Sequence, residues 1–314
     1  MVIDIECDIP TRETYEAELE SLASQGNEGM ANYLNIFGPK WAAEIGMSAA
    51  EFEEAKKSME PVRLRLMITE RRMEKAMGEE EFVRMLKEAG VSKACIGTGR
   101  SASIEHTCAL AARHPNLFIP WGRISPHEGM NGVRRLEHVV KELGLRGLEA
   151  STFRERLYAN DKKYYPLYTK CAELGLPVRI YTTMNYASDR AMDLGRPIYL
   201  DEVARDFPEL VIIAGLAGWP WVPELVGLAR RHRNIYIDFA AHRPKYLAQP
   251  GSGFEMLMQF GNTLLSDRIL FASSWMTLGM PMKEIIAETE ALPLKDSVRP
   301  KWMYQNAARL LKLG

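Results

Sequence analysis

The stretch MVIDIECDIP, Met1 to Pro10, decides the fold. Side chains alternate along a strand, so Val2, Asp4, Glu6 and Asp8 share one face and Ile3, Ile5, Cys7 and Ile9 the other. An acidic face opposite an aliphatic one does not suit an ordinary core strand. It suits the first strand of a parallel barrel, with its aliphatic face under a helix and its acids pointing inward and up to the mouth. The rest of the chain then has to surround Glu6 and Asp8.

Working outward, Thr11 to Gly78 is polar and helical. Ser48-Ala-Ala-Glu51 is a capping-box pattern that opens an Ala/Glu/Lys-rich helix, and Pro61 starts the next one. The segment is too long for a simple connection. It reads as a packing or dimerisation module, or as a lid over the mouth beside strand one. From Glu79 onward helical and strand text alternate. The strands fall at Lys93–Gly99, Leu117–Ser125, Leu145–Ser151, Pro177–Thr182, Leu210–Leu216, Ile235–Ala240 and Ile269–Ser274. With the opening strand this predicts a (β/α)8 TIM barrel, one domain over residues 1–314 with a helical insertion at 11–78.

Apolar content of 46% and charged content of 26% are ordinary for a globular chain with a large core. A formal net charge of −1 without a basic block argues against nucleic acid or an anionic membrane as partner. No apolar run approaches the roughly 20 residues of a membrane span. The opening carries neither a basic n-region nor an apolar h-region, so the expected compartment is the cytoplasm. Cys7, Cys95, Cys108 and Cys171 form no CxxC pair, which fits a reducing compartment and no zinc knuckle.

In a TIM barrel the chemistry sits where strands end. Those ends hold Glu6 and Asp8, Thr98 and Arg100, Arg123 and Ser125, Glu149 and Ser151, Tyr181 and Thr182, Gly215 and Trp219, Asp238 and His242, and Ser273 and Ser274. Glu6 and Asp8 read either as a network neutralised by Arg100, Arg123 or Arg179, or as an acid–base pair whose mutual repulsion raises one pKa. His242 is the one imidazole close after a strand and so the candidate for proton transfer. Arg100, with the helix start at Ser101, forms an anion cradle. Arg123 is next in line for that role. Trp219 packs its loop or stacks on a flat substrate. Ser273 and Ser274 lack a GxSxG context, which argues against a serine hydrolase.

LGLPVRIYTT, FPELVIIAGLAGWPWVPELVGLARRHRNIYIDF, DRILFASSW and NAARLL resemble the amidohydrolase-related TIM barrels, the group of aminocarboxymuconate-semialdehyde and resorcylate-type decarboxylases. The resemblance covers strand one and roughly residues 80–314. The His-x-His it implies in the first strand is Glu6 and Asp8 here. The histidines it implies in the fifth and sixth strands are Tyr181 and Gly215, and the aspartate of Gly-Ser-Asp is Ser274. At the implied ligand position Tyr181 is either core filler or a donor to a developing oxyanion, and Ser274 is a substrate contact. With every implied ligand replaced, the reading is an enzyme without a cofactor; a magnesium- or manganese-type cation on Glu6 and Asp8 is the lesser alternative. The resemblance and the arginine-rich rim together imply a small cyclic or aromatic carboxylated substrate and a homodimer or higher homo-oligomer. The expected reaction is hydrolysis with Glu6 or Asp8 as general base. Non-oxidative decarboxylation is the runner-up, and an inactive barrel kept as a binding partner the third reading.

Overall fold

The computed structural model describes residues 1–23 and 26–313. Its eight strands follow one another around a parallel barrel in chain order. They are β1 Val2–Cys7, β2 Val91–Ile96, β3 Phe118–Arg123, β4 Gly147–Ala150, β5 Val178–Tyr181, β6 Ile212–Gly215, β7 Ile235–Asp238 and β8 Ile269–Leu270. Every neighbouring pair from β1 to β8 is parallel. Between β8 and β1 the seam closes through Ile5 N–H to the Phe271 carbonyl and Ser274 N–H to the Glu6 carbonyl, both 3.0 Å. Among the described residues no helix is long and apolar enough to cross a membrane.

The simple alternation expected of β1 is corrected. Ile3 and Ile5 pack inside the barrel with Cys95, Trp121, Ile213 and Leu270, whereas Val2, Cys7 and Ile9 belong to the layer under the helices. The pairing of β1 with β2 shifts register between Asp4 and Cys7, so Ile5 and Glu6, consecutive residues, both reach the interior. Asp4 does not face the mouth. It accepts from Ser273 N (2.9 Å), Ser273 Oγ (2.5 Å) and Glu6 N (3.1 Å), which ties the bulge to the end of β8. Desolvation raises the Asp4 carboxyl to about 7 against those three bonds.

Between β1 and β2 the chain forms α1 Arg12–Ala23, α2 Asn27–Glu44, α3 Ala49–Ser58 and α4 Pro61–Met73, and then α5 Glu79–Glu88 leads into β2. The predicted cap is present: Glu51 N–H donates to Ser48 Oγ at 3.3 Å and Ser48 N–H to Glu51 Oε2 at 2.7 Å. Pro61 stands in the first turn of α4, where its missing N–H leaves no bond unmade. The four helices bury an apolar centre of their own that includes Leu34, Trp41, Phe52, Leu64 and Ile68. They lie over the C-terminal ends of the strands, because Leu22, Tyr33, Phe37 and Trp41 wall the same cavity as Glu6, Glu149 and Tyr181.

Candidate active site

That cavity, ≈ 370 Å³, is floored by strand ends and roofed by α1, α2 and α4. At its base stands Arg179 on β5, fully buried. Its Nε donates to Asp238 Oδ2 at 2.7 Å and its Nη1 to Glu149 Oε1 at 3.3 Å, and its Nη2 pairs with Glu6. One guanidinium therefore gathers carboxylates from β1, β4 and β7. Gly215 on β6 makes the room: a Cβ there would lie 2.7 Å from Arg179 Cζ. The glycine at a position where the resemblance implied a metal-binding histidine thus serves an arginine.

The direct ion pairs bear on the protonation of Glu6. Glu149 also receives Arg123 Nε at 2.5 Å, so three carboxylates meet two guanidiniums and one negative charge is left over. Such an excess is costly away from water, and holding one proton removes it. Asp238 is bonded by Arg179 and by the backbone N–H groups of Leu216 (3.0 Å) and Ala240 (3.1 Å). Glu149 has two arginines. Glu6 has Arg179 alone, so the proton belongs there. Burial raises the Glu6 carboxyl to about 8, opposed by Arg179 and reinforced by Asp238 and Glu149. Its position favours the protonated form of a carboxyl that faces the cavity.

Asp8 is different. Its Oδ1 accepts Arg100 N–H at 2.7 Å and its Oδ2 accepts Met276 N–H at 3.0 Å. A Cβ at Gly99 would come within 2.5 Å of Oδ1. Asp8 clamps the loop after β2 to the segment after β8, and burial raises its pKa as well. The expected Glu6–Asp8 acid–base pair is not formed. Arg100 departs from expectation too. Its backbone holds Asp8, while its Nη1 donates to Glu18 Oε2 of α1 at 3.1 Å. Glu18 also pairs with Arg65 of α4, whose guanidinium lies 3.6 Å over the Trp41 ring. Arg100 therefore latches the insertion to the rim.

The guanidinium open to a ligand is Arg154, in the short helix Thr152–Glu155 after β4. It lines the cavity and has no carboxylate partner among the described residues, donating only to Ser21 Oγ at 3.2 Å. The Arg123 guanidinium, and after it burial, lower the Arg154 pKa to about 10. An arriving anion relieves that repulsion. Arg123 lines the cavity as expected, held by Glu149 and by the Gly99 carbonyl. Above these groups the insertion supplies rings: Tyr33 lies 6.2 Å from Phe153 and 5.8 Å from Tyr186, and Phe153 lies 5.5 Å from Tyr181. An apolar slot results, walled by rings tilted or edge-on to one another.

Tyr181, His242 and Ser274 line the cavity. The Tyr181 hydroxyl donates to the Met184 carbonyl at 3.3 Å, and burial raises its pKa. His242 Nε2–H donates to the Leu216 carbonyl at 3.0 Å, and burial lowers its pKa to about 4, so the ring is a neutral lining group at pH 7. Ser274 takes a left-handed backbone conformation, φ 44°, and opens the helix Trp275–Leu278. Trp219 is corrected: it packs on the barrel's outer core beside Gly253, outside the cavity. Sequence reading missed Arg154, Glu18, Arg65 and Tyr33. Arg154 was within reach of it, lying four residues past the last residue of β4.

The amidohydrolase family profile matches residues 70–313. The chain belongs to the amidohydrolase family. It is accordingly an enzyme of hydrolase or carboxy-lyase type. No curated protein sequence matches it. An uncharacterised TIM-barrel protein of Bordetella bronchiseptica is 24% identical, with a TM-score of 0.67 over 99% of this amidohydrolase and 98% of that chain. The 5-carboxyvanillate decarboxylase of Sphingomonas paucimobilis is 14% identical, with a TM-score of 0.66 over 100% and 99%. That of Novosphingobium aromaticivorans, complexed with manganese and 4-hydroxy-3-methoxy-5-nitrobenzoic acid, is 14% identical, with a TM-score of 0.65 over 100% and 96%.

The expectation of an enzyme without a cofactor is corrected by that structure, in which a protein of this fold holds manganese. The side chains of this amidohydrolase nevertheless do not fit such an ion. Among the described residues no three His, Cys, Asp or Glu groups converge as ligands. Glu6 is paired with Arg179, and both Asp8 oxygens accept backbone N–H groups, so the alternative cation seat on Glu6 and Asp8 is not formed either. No step below runs through a metal.

Proposed function

We propose that this enzyme is a carboxy-lyase that removes CO₂ from a small aromatic or cyclic carboxylic acid. The carrying observation is the buried Glu6 carboxyl, its pKa raised by desolvation, at the floor of a ring-lined cavity. Hydrolysis needs an ionised carboxylate to take a proton from water. Burial raises the Glu6 pKa to about 8, which favours its protonated form, and Asp8 has both oxygens engaged. An acid is on offer where a base is not. The 5-carboxyvanillate decarboxylases of Sphingomonas and Novosphingobium, which share this fold, support the same reading.

In the proposed reaction the substrate carboxylate binds at Arg154 beside Arg123, with its ring in the slot under Tyr33 and Phe153. Glu6 donates its proton to the ring carbon that bears the carboxylate. The C–C bond breaks, its electron pair returns to the ring, and CO₂ leaves. Glu6 remains as a carboxylate paired with Arg179, which lowers the cost of its ionisation. A proton from water resets it. The product has lost the charge that Arg154 held, which favours release.

The test is a screen of aromatic carboxylic acids in D₂O. The expected result is CO₂ release and one deuterium at the vacated carbon. A hydrolytic product without CO₂ would sink the proposal. Two further outcomes are expected. Arg154→Ala should raise KM about tenfold to a hundredfold with kcat less affected, since a charge-assisted hydrogen bond contributes roughly 1.5–3 kcal/mol; an unchanged KM places the anion elsewhere. The working form of Glu6 is protonated, so kcat/KM should fall as pH rises through about 8. A profile flat from pH 6 to ~10 removes Glu6 as the acid.

A further inference from the structure

A second cavity, ≈ 480 Å³, lies behind the first and shares no lining residue with it. It is an open cleft lined by α1, α2, α4, α5 and the helices Trp275–Leu278 and Met282–Glu290. Its apolar wall includes Met77, Met85, Met276, Met280, Met282 and Trp275. Unbranched thioethers conform to a flexible apolar body. The volume is that of a small-molecule site.

Its charged groups carry a net positive charge. Arg72 is 4% exposed, pairs through Nε with Glu44 Oε2 at 2.7 Å, and donates from Nη2 to the Met276 carbonyl at 3.3 Å. Its Nη1 has no hydrogen-bond partner. Lys75 donates to the Glu44 carbonyl at 2.7 Å and has no carboxylate partner. Lys283 has neither a hydrogen bond nor an ion pair among the described residues. Among the described residues Glu88 is the one lining carboxylate without an ion pair, so two lysines face one free acid. The floor of this cavity also touches the mouth from behind, because Trp275 Nε1 donates to the Asp8 carbonyl at 3.1 Å and Met276 N to Asp8 Oδ2.

We propose that this cavity is a binding site for a medium-chain carboxylate, with the acyl chain along the methionines and the head group at Lys75 and Lys283. Apolar burial along the chain and two ammonium donors at its end match that amphipathic shape. The experiment is calorimetric titration of the full chain with sodium octanoate and with octanol. The expected result is one saturable octanoate site and weaker binding of octanol. In Lys75→Glu/Lys283→Glu the octanoate Kd should rise at least about tenfold, on the scale of a lost charge-assisted contact. Ala89→Phe, which fills the cavity without touching its charges, should abolish the titration at an unchanged Tm. Arg154→Ala should leave it intact. No saturable binding, or binding lost in Arg154→Ala and kept in Ala89→Phe, overturns the proposal. None of these readouts depends on decarboxylation.

Discussion

Glu6→Gln is expected to lower kcat by about 10²–10⁴, the usual contribution of a positioned acid, while the protein stays folded. Glutamine keeps an acceptor for Arg179 and the shape of the side chain, but carries no proton that it can transfer. The substitution also removes the leftover charge of the cluster for good, so Tm should be equal to or above that of the parent. Glu6→Asp should retain part of the activity, because it keeps the acid and shortens its reach. The measurements are kcat and Tm on the same preparations. Parent-like kcat in Glu6→Gln would strip Glu6 of its role. A large fall in Tm would make it a structural anchor instead, with activity lost through unfolding.

Arg179→Leu carries the largest expected effect on stability. It leaves Glu6, Glu149 and Asp238 facing one another at the barrel base. Breaking a buried pair by removing one partner costs about 3–5 kcal/mol, measurable as a lower denaturant midpoint. The effect has a direction in pH. Without the guanidinium, the folded-state pKa of Glu6, already raised by burial, rises further above its unfolded value. Such groups are most favourable to folding when protonated, below their unfolded pKa, and the variant loses stability as pH rises through the folded values. The deficit relative to the parent should therefore be smaller at pH 5 than at pH 8. A deficit that does not change with pH would show that Arg179 acts by packing against Gly215 rather than by charge.

The barrel was legible in the chain because its signal is local. Strand text recurring between helical text from Glu79 onward, and the strand at Met1–Pro10, require no knowledge of what touches what. The same holds for the Ser48–Glu51 cap and for Pro61 at the start of α4, whose partners are three residues away or within one turn. Residues at strand ends could also be placed on the rim, and Glu6, Arg123, Tyr181, His242 and Ser274 all line the cavity.

What each of those groups bonds to was settled in tertiary structure. Glu6 and Arg179 are 173 residues apart in sequence, and Arg100 and Glu18 are 82 apart; no periodicity reports such meetings. The acidic face of β1 misled for the same reason. A register shift beside β2 turned Asp4 to Ser273 and left Glu6 and Asp8 with separate partners, and a shift of that kind is set by the neighbouring strands. Arg100 and Arg154 look alike in sequence, and only the folding of α1 onto the rim gives one of them a carboxylate and leaves the other open. Sequence by itself determined the barrel and which side chains stand near its mouth, because both follow from the order of short local patterns. Which carboxyl keeps its proton was decided by the tertiary structure alone, because protonation depends on the sum of burial and charge from every strand that reaches the same point.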